Sequence, residues 1–305
     1  MDIKPIVTTA SAPERAGAAA TFTAPRATVA ERLRDVWVHR GLFVHFASRA
    51  LEKNYTRTKL GWGWLVIRPV MDILAKTIVF GGVLKVPSAG VPYLLFYLVG
   101  SSAWRVFDRG VYWGTRGIEL NRKLIERLYF PRLLLPAAAL IPALFEFGVY
   151  VVLTLAAVGY YWVAKGHLYL SGGLPLLVGF AGLFLLVLFA GSITLWTSVW
   201  GREYRDVRFT MRYVLEFWFF VTPILYPLSA VPSDVRFLAI ANPVTSLVEM
   251  MKWGFVDAGD VHALWVLWSI GCICVSIGCG LWYFRRYELS FTRESAVEDD
   301  DDWDD

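Results

Sequence analysis

The 305-residue chain is 56% hydrophobic, and its mean hydropathy is +0.49. Soluble domains average roughly 45–50% apolar residues, so the composition excludes an ordinary water-soluble globule. Thirty Lys and Arg against 26 Asp and Glu give a formal net charge of +4, and the positions of those basic residues follow membrane topology rather than a nucleic-acid surface.

Residues 1–30 are rich in Ala, Thr and Pro and lack the apolar core of a signal peptide, so they read as a disordered cytoplasmic tail. Residues 31–59 change character. Leu33, Val36, Trp37, Phe43, Val44, Ala47 and Leu51 recur at helical spacing, while Arg32, Arg34, Arg40, Arg49 and Lys53 mostly take the other side. That is the pattern of an amphipathic helix lying in the membrane interface. A helix packed on a soluble partner gives the same pattern, and one helix can do both.

Residues 60–288 read as a membrane domain. A spanning helix needs about 20 mainly apolar residues. Six stretches qualify: Trp62–Leu84, Pro92–Trp113, Leu133–Val163, Leu174–Trp200, Tyr213–Leu228 with some extension, and Ala263–Phe284. With both ends inside, 19 Lys and Arg fall in the 83 cytoplasmic residues flanking the spans and four in the 52 external ones. The positive-inside rule therefore supports six spans with both termini cytoplasmic. Fourteen Trp and fourteen Tyr suit aromatic belts at the two interfaces.

Several spans carry charge. Arg68, Asp72 and Lys76 share one face of the first span, and Arg105, Asp108 and Arg109 lie at comparable depth in the second. Glu146 and Glu216 look isolated. Charge inside a membrane is costly and faces a bundle interior or a wet cavity. The expected arrangement is a network in which Asp72 and Asp108 share Arg68, Arg105 and Arg109. It is either a polar wall of a translocation path or a lock between the first two spans.

Residues 114–136, GTRGIELNRKLIERLYFPRLLLP, are too charged to span and too short for a domain. At the cytoplasmic face they suit a loop that receives force from another protein. Residues 229–260 are external by topology yet apolar. Ser233–Ala241 and Val244–Val256 read as short helices separated by Asn242–Pro243. They either dip into the membrane and return or lie flat as an external cap. Cys272, Cys274 and Cys279 fall within the last span as small packing residues. Residues 289–305 form an acidic, solvated cytoplasmic tail. No GxxxxGK[ST], GxSxG or HExxH motif occurs, and neither an acidic catalytic pair nor an inverted repeat argues for a membrane transferase or an ion-coupled carrier.

Four stretches together resemble the membrane subunit of ABC exporters of the O-antigen, capsular polysaccharide and teichoic acid class. They are LGWGWLVIRPV (60–70), FGGVLKVPSAGVPYLLFYLVGSSAW (80–104), LIERLYFPRLLLP (124–136) and TPILYPLSAVP with ANPVTSLVEMMKWG (222–254). The resemblance implies an all-α inner-membrane permease of six transmembrane helices, with an N-terminal interface helix and short re-entrant helices between spans five and six. It implies a homodimer working with two ATP-binding subunits that hold ATP and Mg, so that this chain carries no cofactor and is no enzyme itself. The coupling helix of such permeases is carried here onto Glu119, Arg122, Lys123, Glu126 and Arg127. The interface helix rests beside it around Arg34, Trp37 and Arg40. The implied cargo is a polysaccharide on a polyprenyl-diphosphate lipid. The alternative is the permease of a small-molecule or lipid ABC exporter, which shares the architecture.

Overall fold

The computed structural model describes residues 40–55, 59–121 and 133–301, with backbone alone at 52–55 and 288–301, and all the regular structure among them is helical. Helix α1 is Arg40–Tyr55, and α2 is Trp64–Lys76, continued by a π-helical stretch Thr77–Val83. Next come α3 (Tyr93–Leu120), a short α4 (Leu134–Ala138) and α5 (Ile141–Lys165). The single extended residue Tyr204 joins α6 (Leu174–Glu203) to α7 (Arg205–Val221). Two short helices, α8 (Ser233–Ala241) and α9 (Pro243–Val256), precede the long α10 (Ala263–Asp301).

Local chemistry sets these boundaries. Pro136 and Pro142 lack the N–H that a continuous helix needs, and the third apolar run is broken into α4 and α5 beside them. Gly166, at φ 68°, closes α5 in the left-handed conformation that glycine adopts without strain. The fifth run differs from the sequence expectation. Its helix starts at Arg205 rather than Tyr213 and stops at Val221 rather than Leu228. Thr222 precedes Pro223 and is extended, at ψ 131°, as a residue before proline prefers.

Among the described residues, three segments are long and apolar enough to cross a bilayer: Leu134–Lys165, Leu174–Glu203 and Ala263–Tyr287. The other candidate spans are helical, but α2, α3 and α7 carry charge. Helix α6 stands at the centre, against α3, α9 and α10. Small residues let these backbones approach, which matters in lipid, where packing rather than hydrophobic exclusion holds helices together. A Cβ on Gly114 would strike the Thr194 side chain, and one on Gly254 would strike the backbone at Gly179. Beside the first contact, Thr115 and Thr197 hydroxyls bond at 3.0 Å. Phe107 stacks on Phe189 (5.6 Å) and meets Trp218 edge-on (5.1 Å), joining α3, α6 and α7. Each such pair is worth about 0.5–1.5 kcal/mol beyond its buried area.

Helix α1 packs Phe46 on the ends of α3, α4, α6 and α10, beside Ile118, Leu134, Val199 and Phe284. Its apolar stripe is Leu42, Phe43, Phe46 and Ala47. Val44, expected on that stripe, is 63% exposed. It stands two residues, roughly 200° of helix rotation, from Phe46. Residues 1–30, Arg34 and Trp37 lie outside the described residues.

The helices expected at Ser233–Ala241 and Val244–Val256 form as α8 and α9, and the second is buried over most of its length. Between α7 and α8 the backbone is irregular yet buried, with Thr222 and Ile224 at 0% exposure. Its polar groups find partners inside the protein. Tyr93 Oη donates to the Leu225 carbonyl (2.8 Å), and Asn242 Nδ2 donates to Thr222 Oγ1 (2.9 Å). Asn242 Oδ1 also caps α9 by accepting from the Val244 N–H at 3.0 Å.

The Gly254→Ala substitution is expected to cost about 1–3 kcal/mol, the usual penalty for overpacking a close contact. Thermal unfolding of the detergent-purified protein reads this as a midpoint lowered by several degrees. Gly148→Ala, where an added Cβ meets nothing within 4 Å, is the control and should leave the midpoint in place. An unchanged midpoint for Gly254→Ala would contradict the backbone contact between α6 and α9.

Candidate functional site

Helices α2, α3 and α7 border a cavity of about 550 Å3. Each of these three helices carries several charges, and most of that charge turns into this cleft. On α3, Ser101, Arg105, Asp108 and Tyr112 recur at helical spacing and line one wall. Helix α2 brings Asp72 and Lys76, one turn apart, and α7 brings Arg212, Glu216, Phe219 and Phe220.

Asp72 organises the cleft. Its carboxylate faces Lys76 Nζ at 2.5 Å and Arg105 Nη2 at 3.5 Å, and it accepts from Tyr97 Oη at 2.9 Å. Lys76 also reaches across to α7, its ammonium 5.4 Å from the Phe219 ring centroid. That ring meets Trp104 edge-on at 5.7 Å. Farther along, Arg109 Nε lies 3.5 Å from Glu146 Oε2 on α5, and Arg212 Nε donates to Glu216 Oε1 at 3.1 Å. Asp108 lines the cavity between Arg105 and Arg109, and among the described residues its carboxylate makes neither an ion pair within 4 Å nor a side-chain hydrogen bond.

This arrangement revises the expected network. Arg68 is exposed and lies over the Trp64 ring at 5.2 Å, outside the cleft. Lys76 takes its place on Asp72. An acid N-terminal to a base at i, i+4 is the better orientation on a helix, which favours Lys76 over Arg68 as the partner. Arg109 forms its ion pair with Glu146 on α5 rather than with an aspartate. Glu146 and Glu216, which looked isolated, each stand beside an arginine. The i, i+4 spacing of Arg212 and Glu216 was a usable signal; the Arg109–Glu146 pair had none, because 37 positions separate its members.

At one end of the cleft, α3 is tied to the start of α7. Arg116 donates to the carbonyls of Tyr112 (3.2 Å) and Arg208, with its guanidinium 3.8 Å over the Tyr112 ring. Arg208 in turn donates to the Gly201 carbonyl and stands 3.7 Å from Glu119 Oε2. Of the residues expected to form the coupling segment, only Glu119 is among the described residues; Arg122, Lys123, Glu126 and Arg127 lie outside them. Arg40 stands at the first turn of α1.

A second polar cluster went unread in the sequence. Lys252, counted there among external loop charges, is 0% exposed. Its Nζ donates to the Pro223 carbonyl at 2.5 Å and to Glu249 Oε1 at 3.1 Å, and it lies 4.1 Å from the Phe96 ring. The other Glu249 oxygen accepts from the Asp260 N–H at 2.9 Å. Among the described residues, no group of three or more His, Cys, Asp or Glu is placed to hold a metal.

The chain is similar along most of its length to known export permeases. It is 26% identical over 263 residues to the O-antigen export system permease protein RfbA of Myxococcus xanthus, covering 85% of this chain and 97% of that one. The O-antigen export system permease protein RfbA of Klebsiella pneumoniae is 20% identical over 254 residues, 82% of this chain and 93% of its own. The polysialic acid transport protein KpsM of Escherichia coli is 22% identical over 254 residues, 82% of this chain and 92% of its own. No family model matches. The resemblance to an ABC exporter permease therefore holds over nearly the whole of these relatives.

The Asp72→Asn substitution leaves Lys76 and Arg105 facing a neutral amide. A loss of about 1–3 kcal/mol is expected for stranding partly buried charge, read as a lower unfolding midpoint in detergent. Arg68→Gln should leave the midpoint unchanged. Equal effects from the two substitutions would contradict the pairing on Asp72.

Proposed function

We propose that this chain is the transmembrane subunit of an ATP-driven exporter that moves a polyprenyl-diphosphate-linked polysaccharide across the cytoplasmic membrane. The observation that carries the reading is the similarity, over 85% and 82% of this chain, to O-antigen and polysialic acid export permeases. The chain spans six times, with both termini cytoplasmic. Helices α8 and α9 re-enter from the outside, and the burial of α9 among α3, α6 and α10 supports that over a flat external cap. Two copies pair with two ATP-binding subunits, which hold ATP and Mg; this chain holds no cofactor.

In this reading the cleft is a wall of the glycan path. Helix α3 forms its floor and α2 and α7 its sides, and a second copy closes the open side. Rings and charged groups together suit a sugar chain, whose C–H faces pack on aromatics while its hydroxyls need polar partners. ATP-driven closure of the partner subunits pushes the segment around Glu119, Arg122, Lys123, Glu126 and Arg127, with Arg34, Trp37 and Arg40 resting beside it. The Arg116, Glu119 and Arg208 contacts then pass the displacement from α3 to α7, a wall of the cleft. Nucleotide can bias the path only through such a differential contact.

A second reading is the permease of a small-molecule or lipid exporter. An apolar cavity of about 270 Å3 beside α5, lined by Val99, Leu155, Phe180 and Phe255, favours it. Co-purification with the ATP-binding partner, followed by ATPase assays, separates the two. Stimulation by polyprenyl-linked glycan is expected, and stimulation by small amphiphiles alone would favour the second reading. Joint replacement Arg122→Glu and Lys123→Glu is expected to leave folded yield intact and cut export at least tenfold. Wild-type export and ATPase stimulation in that variant would sink the coupling assignment.

A further inference from the structure

We infer that the cleft between α2, α3 and α7 is a charge-compensated sugar site that takes uncharged, hydroxyl-rich glycan and disfavours polyanions, with Asp108 as its hydroxyl-accepting residue. The inference rests on the polysaccharide-export reading and narrows its substrate class.

The charge balance comes first. Lys76 and Arg105 both face Asp72, at 2.5 and 3.5 Å. Arg109 faces Glu146 at 3.5 Å, and Arg212 faces Glu216 at 3.1 Å. Asp108 supplies the fourth carboxylate, so the cations are matched one for one. A polyanionic chain entering here finds no cation that it can take without breaking an existing pair. Breaking the partly buried Arg109–Glu146 pair strands Glu146 and costs more than the pair itself was worth, and taking Arg105 removes one of the two cations that Asp72 holds. The polyanion also meets Asp108 directly, and like charges brought together suppress the wrong partner. An uncharged glycan disturbs none of these pairs.

The second argument is the state of Asp108. It alone among the four carboxylates has no ion-pair or hydrogen-bond partner among the described residues, and it lines the cavity. A carboxyl group lining a cavity offers two oxygens to hydroxyl donors. Vicinal hydroxyls of a pyranose are donors at matching spacing, and hydrogen bonds to a charged acceptor are roughly twice as strong as neutral ones. Trp104, Tyr112, Phe219 and Phe220 border the same cavity and offer apolar faces to the sugar ring. The cavity, at about 550 Å3, falls in the usual range for a ligand site.

The test uses the permease with its ATP-binding partner, reconstituted as the whole complex. Its probes are a neutral mannan oligosaccharide and a polysialic acid oligosaccharide of equal length. Wild type is expected to bind the mannan at least tenfold more tightly, with little dependence on salt. Asp108→Asn is expected to weaken mannan binding roughly tenfold, as a charge-assisted acceptor is lost, while polysialic acid binding rises. Asp108→Glu, which keeps the carboxylate, restores the mannan preference. A merely structural Asp108 would lower both affinities together in the Asn variant, and that result overturns its role. Wild-type binding of polysialic acid as tight as that of mannan overturns the charge argument and leaves polysaccharide export standing. If the complex hydrolyses ATP yet binds neither probe, the polysaccharide reading falls and this inference with it. Should Asp108→Asn not fold, the wild-type comparison and the Glu variant decide the matter.

Discussion

A polar group removed from water must find its partner within the protein, and that constraint shapes most of this structure. Asp72 meets it with three partners drawn from two helices. The irregular 222–227 segment meets it through Tyr93 and Lys252 on its carbonyls and Asn242 on the Thr222 hydroxyl. Lys252 needs the Pro223 carbonyl and the Glu249 carboxylate together, because a buried ammonium left alone costs far more than any one hydrogen bond returns. Buried non-helical backbone persists only where protein satisfies its polar groups, and α9 is the cover. Asn242 joins the two systems, since its Oδ1 also accepts from Trp218 Nε1 on α7, at 3.0 Å.

Rigidity and freedom are distributed unequally around that constraint. Helix α6 is locked to α3 and α9 by contacts too close for a Cβ, at Gly114 and Gly254. Helix α7 is held differently. It leaves α6 through the one extended residue Tyr204, and it touches α3 through aromatic rings and the Arg116, Glu119 and Arg208 contacts. The stiff part of the bundle thus lies behind the cleft, and one side wall hangs from a hinge-like turn. The π-helical stretch after Lys76 places a second irregularity in the opposite wall, and such turns recur at functional positions in helices.

Much of this was legible in the chain itself, element by element. The break before α9 was written in Asn242–Pro243, whereas the third apolar run, expected as one span, is broken beside Pro136 and Pro142. The apolar, charge-free run from Leu174 to Trp200 became the central helix. The charges of the first two spans were correctly placed at one depth, yet their pairing was misread. Arg68 and Lys76 flank Asp72 at equal sequence distance, and spacing alone does not separate them; helix orientation and the position of Tyr97 do. Val44 was misplaced because a short helix with apolar residues at neighbouring positions leaves its buried face open until a partner helix chooses it.

The sequence by itself determined the class of the protein, its helices, their polarity and the segments that carry charge. These follow from local propensity and from periodicity, which one chain contains in full. Tertiary structure decided which charges meet. Arg109 with Glu146, Arg116 with Arg208, and Lys252 with Pro223 are pairings between distant positions, set by which backbones small residues allow to approach. It also decided that Lys252 is interior rather than a loop charge, and that Asp108 alone among the cleft carboxylates has neither an ion pair nor a side-chain hydrogen bond among the described residues. Both depend on how neighbouring helices fill space, a quantity that no spacing along a single chain encodes.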